Sequence, residues 1–597
     1  MTAQKPVVFW FTPSAEATAR AAARAIGGEA ISPSSPGVAD SLRSFFAARR
    51  PIVGVCAAGI LIRALAPMLG DKWSEPPVLA LSEDGMSVVP LLGGHRGANV
   101  LALKLAEALK ATPALTTAGE VRLGIALDAP PEGWVLENPG DAKSAMAALL
   151  AGAPCTLTGE ADWLSPLAPT PVAAPGTDRA TVLTVAGAAP LRYWRRTLSL
   201  GVGCARGCDP GEMIALVEQS LTAEGRSLHE VAKLSSIDLK SDEAAIHALA
   251  ARIGIAPQFY RAATLGAAKD RLANPSAVVF AEVGCHGVAE GAALTAAGED
   301  ATLLIEKHKT ANATCAVATL ASPAIPGARR GRLSVVGIGP GDADWRTPEA
   351  SRLIAEAEEL VGYGLYIDLL GPLATGKPRK DFPLGGEEDR CRYALEAAAE
   401  GRNIALICSG DAGIYAMGAL VMELMARDQA AGGVSDAAKR VEIINAPGVS
   451  ALQAASARAG AILGHDFCTI SLSDLLTPRE DIIKRLHAAA EGDFVIAFYN
   501  PVSKRRRTLL DEARRILLDH RPAETPVLLA SNLGRPTEKL IRRTLATLET
   551  DEVDMLTVVL IGSSNSAAFQ TGDGGAGAEG WRIYTPRGYA KKMKGAA

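Results

Sequence analysis

No run of about 18 uninterrupted apolar residues occurs in this chain, so no membrane-spanning helix is expected. Nor is a secretory leader expected: Met1 to Phe11 hold one lysine and a short apolar run that Pro13 closes. Neither sign of charge is in excess. The 61 Lys and Arg set against 65 Asp and Glu leave −4, which argues against broad nucleic-acid binding. Cysteines are few and odd in number, nine scattered over 597 residues. Reduced thiols in a cytoplasm suit that pattern better than a disulfide framework. Metal-ligand spacing is equally scarce. Cys204 and Cys208 lie in a Gly/Pro-rich turn, Gly201 to Pro210, with Cys285-His286 as a conceivable second pair. A zinc site normally shows two close pairs at recognised spacing, so loop or buried thiols are expected here and no metal.

What the chain does have is length. At 597 residues it exceeds one core and suggests roughly four domains. Its 48% hydrophobic and 21% charged content is ordinary for α/β proteins. Two linkers are expected: residues 166–195, rich in Pro, Ala and Thr, and residues 321–331 around Ser322 to Gly331.

The most informative stretch runs from Ser334 to Tyr366. An apolar strand enters the glycine hairpin Gly337-Ile338-Gly339-Pro340-Gly341-Asp342, and a helix follows. The helix starts at Thr347-Pro348-Glu349, an N-cap hydroxyl, a proline at the first position and an acid in the first turn. Ala350, Leu353, Ile354, Ala357, Leu360 and Val361 repeat at helical spacing. The glycines thus do not open the helix directly, and Pro340 has no N–H for a phosphate. A cofactor without phosphates, such as S-adenosylmethionine, suits this turn.

Two further loops extend the pattern. Strand Asn403 to Cys408 ends in Ser409-Gly410-Asp411-Ala412-Gly413-Ile414-Tyr415, with helix from about Ala416. Strand Val441 to Asn445 ends in Ala446-Pro447-Gly448-Val449-Ser450-Ala451, with helix to Ala459 and Gly460 as its stop. Loops at the carboxyl ends of three strands share one edge of a parallel sheet, where open α/β sheets bind ligands.

Together these loops resemble the tetrapyrrole methyltransferases, with Gly464-His465-Asp466-Phe467 and Ser531 to Glu538 adding to the match. Ala497-Phe498-Tyr499-Asn500-Pro501, followed by Ser503 and Arg506, and Thr585 to Tyr589 resemble the precorrin-3B C-17 methyltransferases. The resemblance spans residues 332–590 and implies a two-lobed α/β fold, methyl transfer from S-adenosylmethionine and a homodimer. It places Gly339, Pro340, Ser409, Gly410, Asp411, Ile414, Ser450, Ala451 and Asn500 against the cofactor, and Tyr499, Arg506 and Arg587 against a carboxylate-rich tetrapyrrole. Other readings stand beside these. Asp411 serves equally as a helix cap, Lys504 to Arg507 as a solvated face, and His465 as a turn residue or a proton carrier in ring contraction.

The N-terminal half reads as smaller α/β pieces. Strands are expected at Ile52–Cys56, Val78–Leu81 and Met86–Leu92, with a helix at Ile60–Leu69. Glu83-Asp84-Gly85 makes a turn, and Gly93 to Asn99 opens a helix. Later come strand Leu198–Gly203, helix Glu212–Leu221, strand Val278–Glu282, an alanine helix from Gly287 and strand Leu303–Ile305. Ala58 to Arg63, Ser82 to Gly85 and Gly94-His95 through Asn99 resemble the CbiG family of cobalamin biosynthesis. So do Gly201 to Cys204, Val288 to Leu294, and Lys309 with Thr314. That likeness implies opening of a δ-lactone on a cobalt-bound corrin intermediate, with acetaldehyde released. One departure is visible: a single glycine, Gly97, separates His95 and Arg96 from Ala98-Asn99 where two are expected. His95 and Asn99, four apart at a helix start, would share a face and activate water.

The expected organisation is 1–120 and 121–165 (CbiG N-terminal and middle pieces), linker 166–195, 196–320 (CbiG C-terminal piece), linker 321–331 and methyltransferase 332–590. The expected activity is C-17 methylation of precorrin-3B with contraction to precorrin-4. The cobalt-bearing substrate, with lactone hydrolysis upstream, is one alternative; a non-catalytic carrier in the N-terminal half is another.

Overall fold

The computed structural model describes residues 5–32, 38–70, 75–116, 118–167, 179–321, 325–502, 507–571 and 580–589. The chain forms two compact units. One holds residues 1–333 with 395–404 and 434–442; the other holds 334–394, 405–433 and 443–597.

The first unit begins with a six-stranded sheet ordered Glu29–Ile31, Val7–Trp10, Ile52–Val55, Val78–Leu81, Ser87–Leu92, Thr112–Pro113. Strands Val7–Trp10, Ile52–Val55 and Val78–Leu81 run parallel, and Ser87–Leu92 returns antiparallel. Both faces are covered, and period two in the sequence decides which side chain meets which helix. Val8, Trp10, Val53, Val55, Leu79 and Leu81 pack with helices Glu16–Ile26 and Ala98–Leu109. Val7, Phe9, Ile52, Val78 and Ala80 pack with helices Val38–Ala47 and Ala58–Leu65. The Glu83 turn is a structural clasp: Glu83 accepts from Thr12 and Ser14, and Asp84 accepts from Ser82 and the Met86 N–H.

A four-stranded antiparallel sheet follows, ordered Trp134–Leu136, Leu191–Arg195, Thr181–Val185, Cys155–Thr158. This corrects the expected linker, since residues 181–195 supply its two inner strands. Thr181, Leu183, Val185, Leu191 and Tyr193 alternate into the core, a period-two pattern that the surrounding Pro/Ala/Thr composition masked.

The third sheet is ordered Pro257–Tyr260, Val231–Ile237, Leu198–Cys204, Ala313–Thr319, Leu303–Lys309. Helix Val288–Ala297 lies on it so closely that a Cβ on Gly201 would collide with the Ala289 carbonyl. Val278–Glu282, expected as a strand, belongs instead to helix Ala277–Val283, which Ser276 caps by accepting the Val279 N–H at 3.3 Å. Cys204 and Cys208 are free thiols; burial, assisted by Glu243, pushes the Cys204 thiol up to about 11. Residues 325–331, expected to be a linker, are held in this unit. Ala328 exchanges hydrogen bonds with Phe259 at 2.6 and 2.9 Å, and Gly331 accepts the Glu442 N–H at 2.9 Å.

The C-terminal half has two lobes, as its expected fold class requires. The first sheet is ordered Arg379–Phe382, Glu359–Tyr363, Asn403–Cys408, Arg332–Gly337, Glu442–Ala446. The second is ordered Phe467–Ser471, Val495–Tyr499, Thr557–Ile561, Pro526–Ser531, Lys539–Thr544. A small three-stranded sheet joins Gly460–Ala461, Trp581–Tyr584 and Ala567–Gln570. The helix capped by Thr347 stops at Glu356, where Ala357 turns extended, so Leu360 and Val361 belong to a strand. Their apolar spacing satisfied both periods, and burial on the sheet chose the strand.

Among the described residues no single helix is long and apolar enough to cross a membrane.

Candidate active site

Three glycine loops converge at the carboxyl ends of strands Arg332–Gly337, Asn403–Cys408 and Glu442–Ala446. The central strand neighbours both others, and all three loops meet, so the strands point the same way. At the glycines the loops meet backbone to backbone. A Cβ on Gly337 would lie 2.7 Å from the Gly410 carbonyl oxygen and 2.8 Å from the Gly448 nitrogen. One on Gly448 would overlap the Gly410 carbonyl. Gly339 and Gly410 exchange two hydrogen bonds, at 3.2 and 2.8 Å, with φ of +77° and +69° that favour glycine. A methyl on Gly410 would enter open space, with Ser450 Cα 3.9 Å and Ala451 N 4.0 Å away. No side-chain atom lies within 4 Å of that methyl position, which makes it a backbone-lined cradle for a ligand.

Asp411 ties the second loop to the third. Its Oδ1 accepts the Gly413 N–H at 2.8 Å and its Oδ2 accepts the Gly448 N–H at 3.0 Å. The next helix begins only at Met417 with Ala416 as its N-cap, so Asp411 is a loop clasp rather than a helix cap. Ser450 caps helix Ala451–Ala459 in a capping box with Gln453. The Tyr499 hydroxyl accepts the Leu452 N–H at 3.1 Å and shares a short hydrogen bond with Ser450 Oγ. Tyr499 therefore locks the second lobe's strand end to the third loop, a link no local motif announced. Burial raises its phenol above the usual range, with the Ser450 bond pulling the other way. Asn500 donates to Ser471 Oγ at 3.2 Å. Tyr415, Asn500 and Asn532 take φ of +50°, +49° and +51°, rare for non-glycine residues and clustered at functional loops.

A fourth loop, Ser531 to Glu538, closes on the first. A Cβ on Gly341 would sit 2.9 Å from the Gly534 carbonyl, and Arg535 Nε donates to the Pro340 carbonyl at 3.3 Å. Glu538 holds this loop by accepting the Gly534 N–H at 2.6 Å and pairing with Arg458 at 3.0 Å. Sequence reading missed two cations nearby. Arg535 and the buried Arg390 both act on Tyr366, whose phenol burial pushes up while the two guanidiniums oppose it.

The structure thus brings together Gly339, Pro340, Gly410, Asp411, Ser450, Ala451, Tyr499 and Asn500, with Ser409 and Ile414 in the same second loop. It does not bring His465 to them. His465 is exposed at the amino end of strand Phe467–Ser471, whose other end carries Ser471 beside Asn500. Five strand residues span about 16 Å. His465 Nδ1 accepts the Asp466 N–H at 2.8 Å, which makes it a turn residue. Arg587 follows Thr585, which bonds Ala461 at 3.2 Å and Ile462 at 2.6 Å, so it too lies at that far end. Arg506 falls outside the described residues. In the first unit, His95 lies in the turn Gly94–Arg96 and its side chain is outside the described set. Asn99 is buried near the start of helix Ala98–Leu109. Gly97, at φ +94°, separates the turn that holds His95 from the helix that holds Asn99.

Comparison with known proteins matches residues 332–549 to the tetrapyrrole (corrin/porphyrin) methylases. Residues 40–120 match the cobalamin synthesis G N-terminal family and residues 198–318 its C-terminus. A precorrin-3B C(17)-methyltransferase of Sinorhizobium sp is 42% identical over 260 residues, covering 44% of this chain and 98% of the relative. A probable cobalt-factor III C(17)-methyltransferase of Salmonella typhimurium is 41% identical, covering 43% of this chain and 99% of the relative. A cobalt-factor III methyltransferase of Priestia megaterium is 39% identical, and the chain spans about half, 46%, of its length. Among solved structures, the methyltransferase CobJ is 38% identical over 43% of this chain, with a TM-score of 0.38. CobE, a protein from the cobalamin biosynthetic pathway, is 41% identical over 21% of this chain, with a TM-score of 0.20.

Proposed function

The chain belongs to the tetrapyrrole methylases through its C-terminal half, and from that premise we propose that this half methylates C-17 of precorrin-3B with S-adenosylmethionine, accompanying contraction to precorrin-4. The observation that carries the reading is the backbone cradle at Gly410, where only Ser450 Cα and Ala451 N come within 4 Å of a would-be methyl. It fits a ligand held by main-chain contacts. The residues that would hold the cofactor are Gly339, Pro340, Ser409, Gly410, Asp411, Ile414, Ser450, Ala451 and Asn500.

When bound, the cofactor supplies a methyl already electrophilic on its sulfonium. The chain's own work is positional. Asp411 fixes the second and third loops to each other, and Tyr499 fixes the third loop to the second lobe. Rigid loops hold the two reactants in line about 3–3.5 Å apart, an arrangement worth several kcal/mol of barrier. The substrate's carboxylates need cations at this edge, and Arg535 stands there beside the Pro340 carbonyl; Arg506 follows the Tyr499 strand in sequence. The protein acts in the cytoplasm, as a homodimer through this half.

A cobalt-bearing substrate is the second reading, favoured by the cobalamin synthesis G segments on the same chain. In that reading residues 1–320 open the lactone, with His95 and Asn99 at the site. The altered glycine spacing around Gly97 favours instead a half that carries a corrin without hydrolysing it. The test incubates the full chain with S-adenosylmethionine and either trimethylated substrate, read by mass and absorbance. Methylation of neither substrate sinks the reading. Acetaldehyde release from the lactone-bearing cobalt intermediate, abolished in His95→Ala, separates hydrolase from carrier.

A further inference from the structure

Strand Phe467–Ser471 leaves its sheet at the ligand edge. Leu472 is buried, and its N–H bonds the Tyr499 carbonyl at 2.9 Å, so the outgoing segment starts from a fixed point beside Tyr499. Then two leucines face outward: Leu475 is 76% exposed and Leu476 is 94% exposed. Single exposed apolar residues are ordinary on a surface. These two have company. Ile414 and Tyr415 are exposed at 38% and 50%, and the Tyr415 hydroxyl bonds the Thr469 carbonyl of the same strand at 3.1 Å. Tyr415 is held out by a left-handed backbone, and its ring lies 5.2 Å from that of Tyr499. Tyr415 thus flanks the strand whose outgoing segment, fixed at Leu472, carries the two outward leucines.

The geometry of methyl transfer says what meets them. The reacting carbon must come within about 3–3.5 Å of the donor, and the cradle lies at Gly410 and Ser450. A tetrapyrrole is much broader than its reacting carbon, so its remaining rings extend over the loops that border the cradle. On the second-lobe side, those are the loops after Ser471 and Tyr499. A tetrapyrrole has an apolar face and a carboxylate rim, and outward leucines match the face.

We propose that Leu475 and Leu476, with Tyr415, form an apolar platform that holds the face of the tetrapyrrole and so selects which ring carbon reaches the methyl. This rests on the methyltransferase reading above. The platform is tested in the full chain with Leu475→Ser/Leu476→Ser and with the conservative Leu475→Met/Leu476→Met. Uroporphyrin binding is followed by fluorescence quenching, S-adenosylhomocysteine binding by calorimetry, and particle mass by light scattering. The Ser pair should weaken uroporphyrin binding and raise the KM for precorrin-3B at least tenfold. S-adenosylhomocysteine affinity and Tm should not move, and the Met pair should behave as wild type. Unchanged uroporphyrin affinity overturns the platform, and a simultaneous drop in particle mass would assign the leucines to a second copy of the chain. Parallel loss of S-adenosylhomocysteine affinity also overturns it, because the loop would then act on the cradle as a whole. Failure of the wild-type chain to bind or methylate any tetrapyrrole would instead sink the methyltransferase reading, and the platform with it.

Discussion

Replacing Gly410 by alanine separates the two things glycine does in the second loop. At φ +69° an L-residue incurs about 1–2 kcal/mol of backbone strain. The added methyl meets no protein atom closer than 3.9 Å, so overpacking contributes nothing to that cost. Gly432 is a matched control, with φ +85° and nothing within 4 Å of its would-be Cβ, in a turn apart from the loops. For a domain of this size about 1 kcal/mol moves Tm by roughly 2–4 °C. Gly410→Ala and Gly432→Ala should therefore lower Tm alike in differential scanning fluorimetry. Only the first places a methyl where the ligand must lie. Calorimetric titration with S-adenosylhomocysteine should show at least a tenfold loss for Gly410→Ala, about 1.4 kcal/mol, and none for Gly432→Ala. Equal affinities in the two variants would refute the cradle, because strain alone would then explain everything Gly410 does.

Asp411→Ala leaves the Gly413 and Gly448 amides without their charged acceptor, at about 1.5–3 kcal/mol for each bond, and should abolish measurable S-adenosylhomocysteine binding while circular dichroism stays native. Tyr499→Phe should cost about 1–3 kcal/mol in chemical denaturation, and its effect should be non-additive with Ser450→Ala; simple additivity in the double-mutant cycle would mean the two hydroxyls do not act as a pair. Glu290 is buried, which opposes its ionisation, yet bonds from Asn274 and the Lys307 N–H outweigh burial and hold it below the ordinary carboxylate value. A depressed folded value means stability that is complete above the unfolded value of about 4.3 and lost as pH falls through the folded one. The Tm deficit of Glu290→Gln should accordingly be full at neutral pH and shrink on acidification below that range; a deficit independent of pH contradicts the assignment.

Strand existence and the glycine loops were legible from sequence because their signals are local. Ile52 to Val55 and Val78 to Leu81 are continuous apolar runs, and Thr347-Pro348 makes the cap its residue types announce. Composition misled where two periods overlapped or where one residue class dominated. Leu360 and Val361 satisfied helical spacing yet joined a strand, and residues 181–195 looked like linker while alternating into a core. Val278 to Glu282 is β-branched and apolar, but Ser276 at its head and Gly284 at its tail make it a helix. Motif position placed Asp411, Ser450 and Tyr499 near the ligand edge without saying how they work. Their bonds join residues 37 to 49 positions apart, and such separations follow from sheet order and not from any local pattern. His465 and Arg587 lie apart from these loops for the same reason in reverse. Each sits in a recognisable motif, but a nine-residue helix and a five-residue strand carry that turn to the far end of the lobe. Leu475 and Leu476 carried no signal at all, since an exposed and a buried leucine read alike until the sheet decides which side of the chain faces water. Local chemistry sets which backbone shapes a segment can take; which of those shapes meet, and at which end of a strand, is set by burial summed over the whole unit.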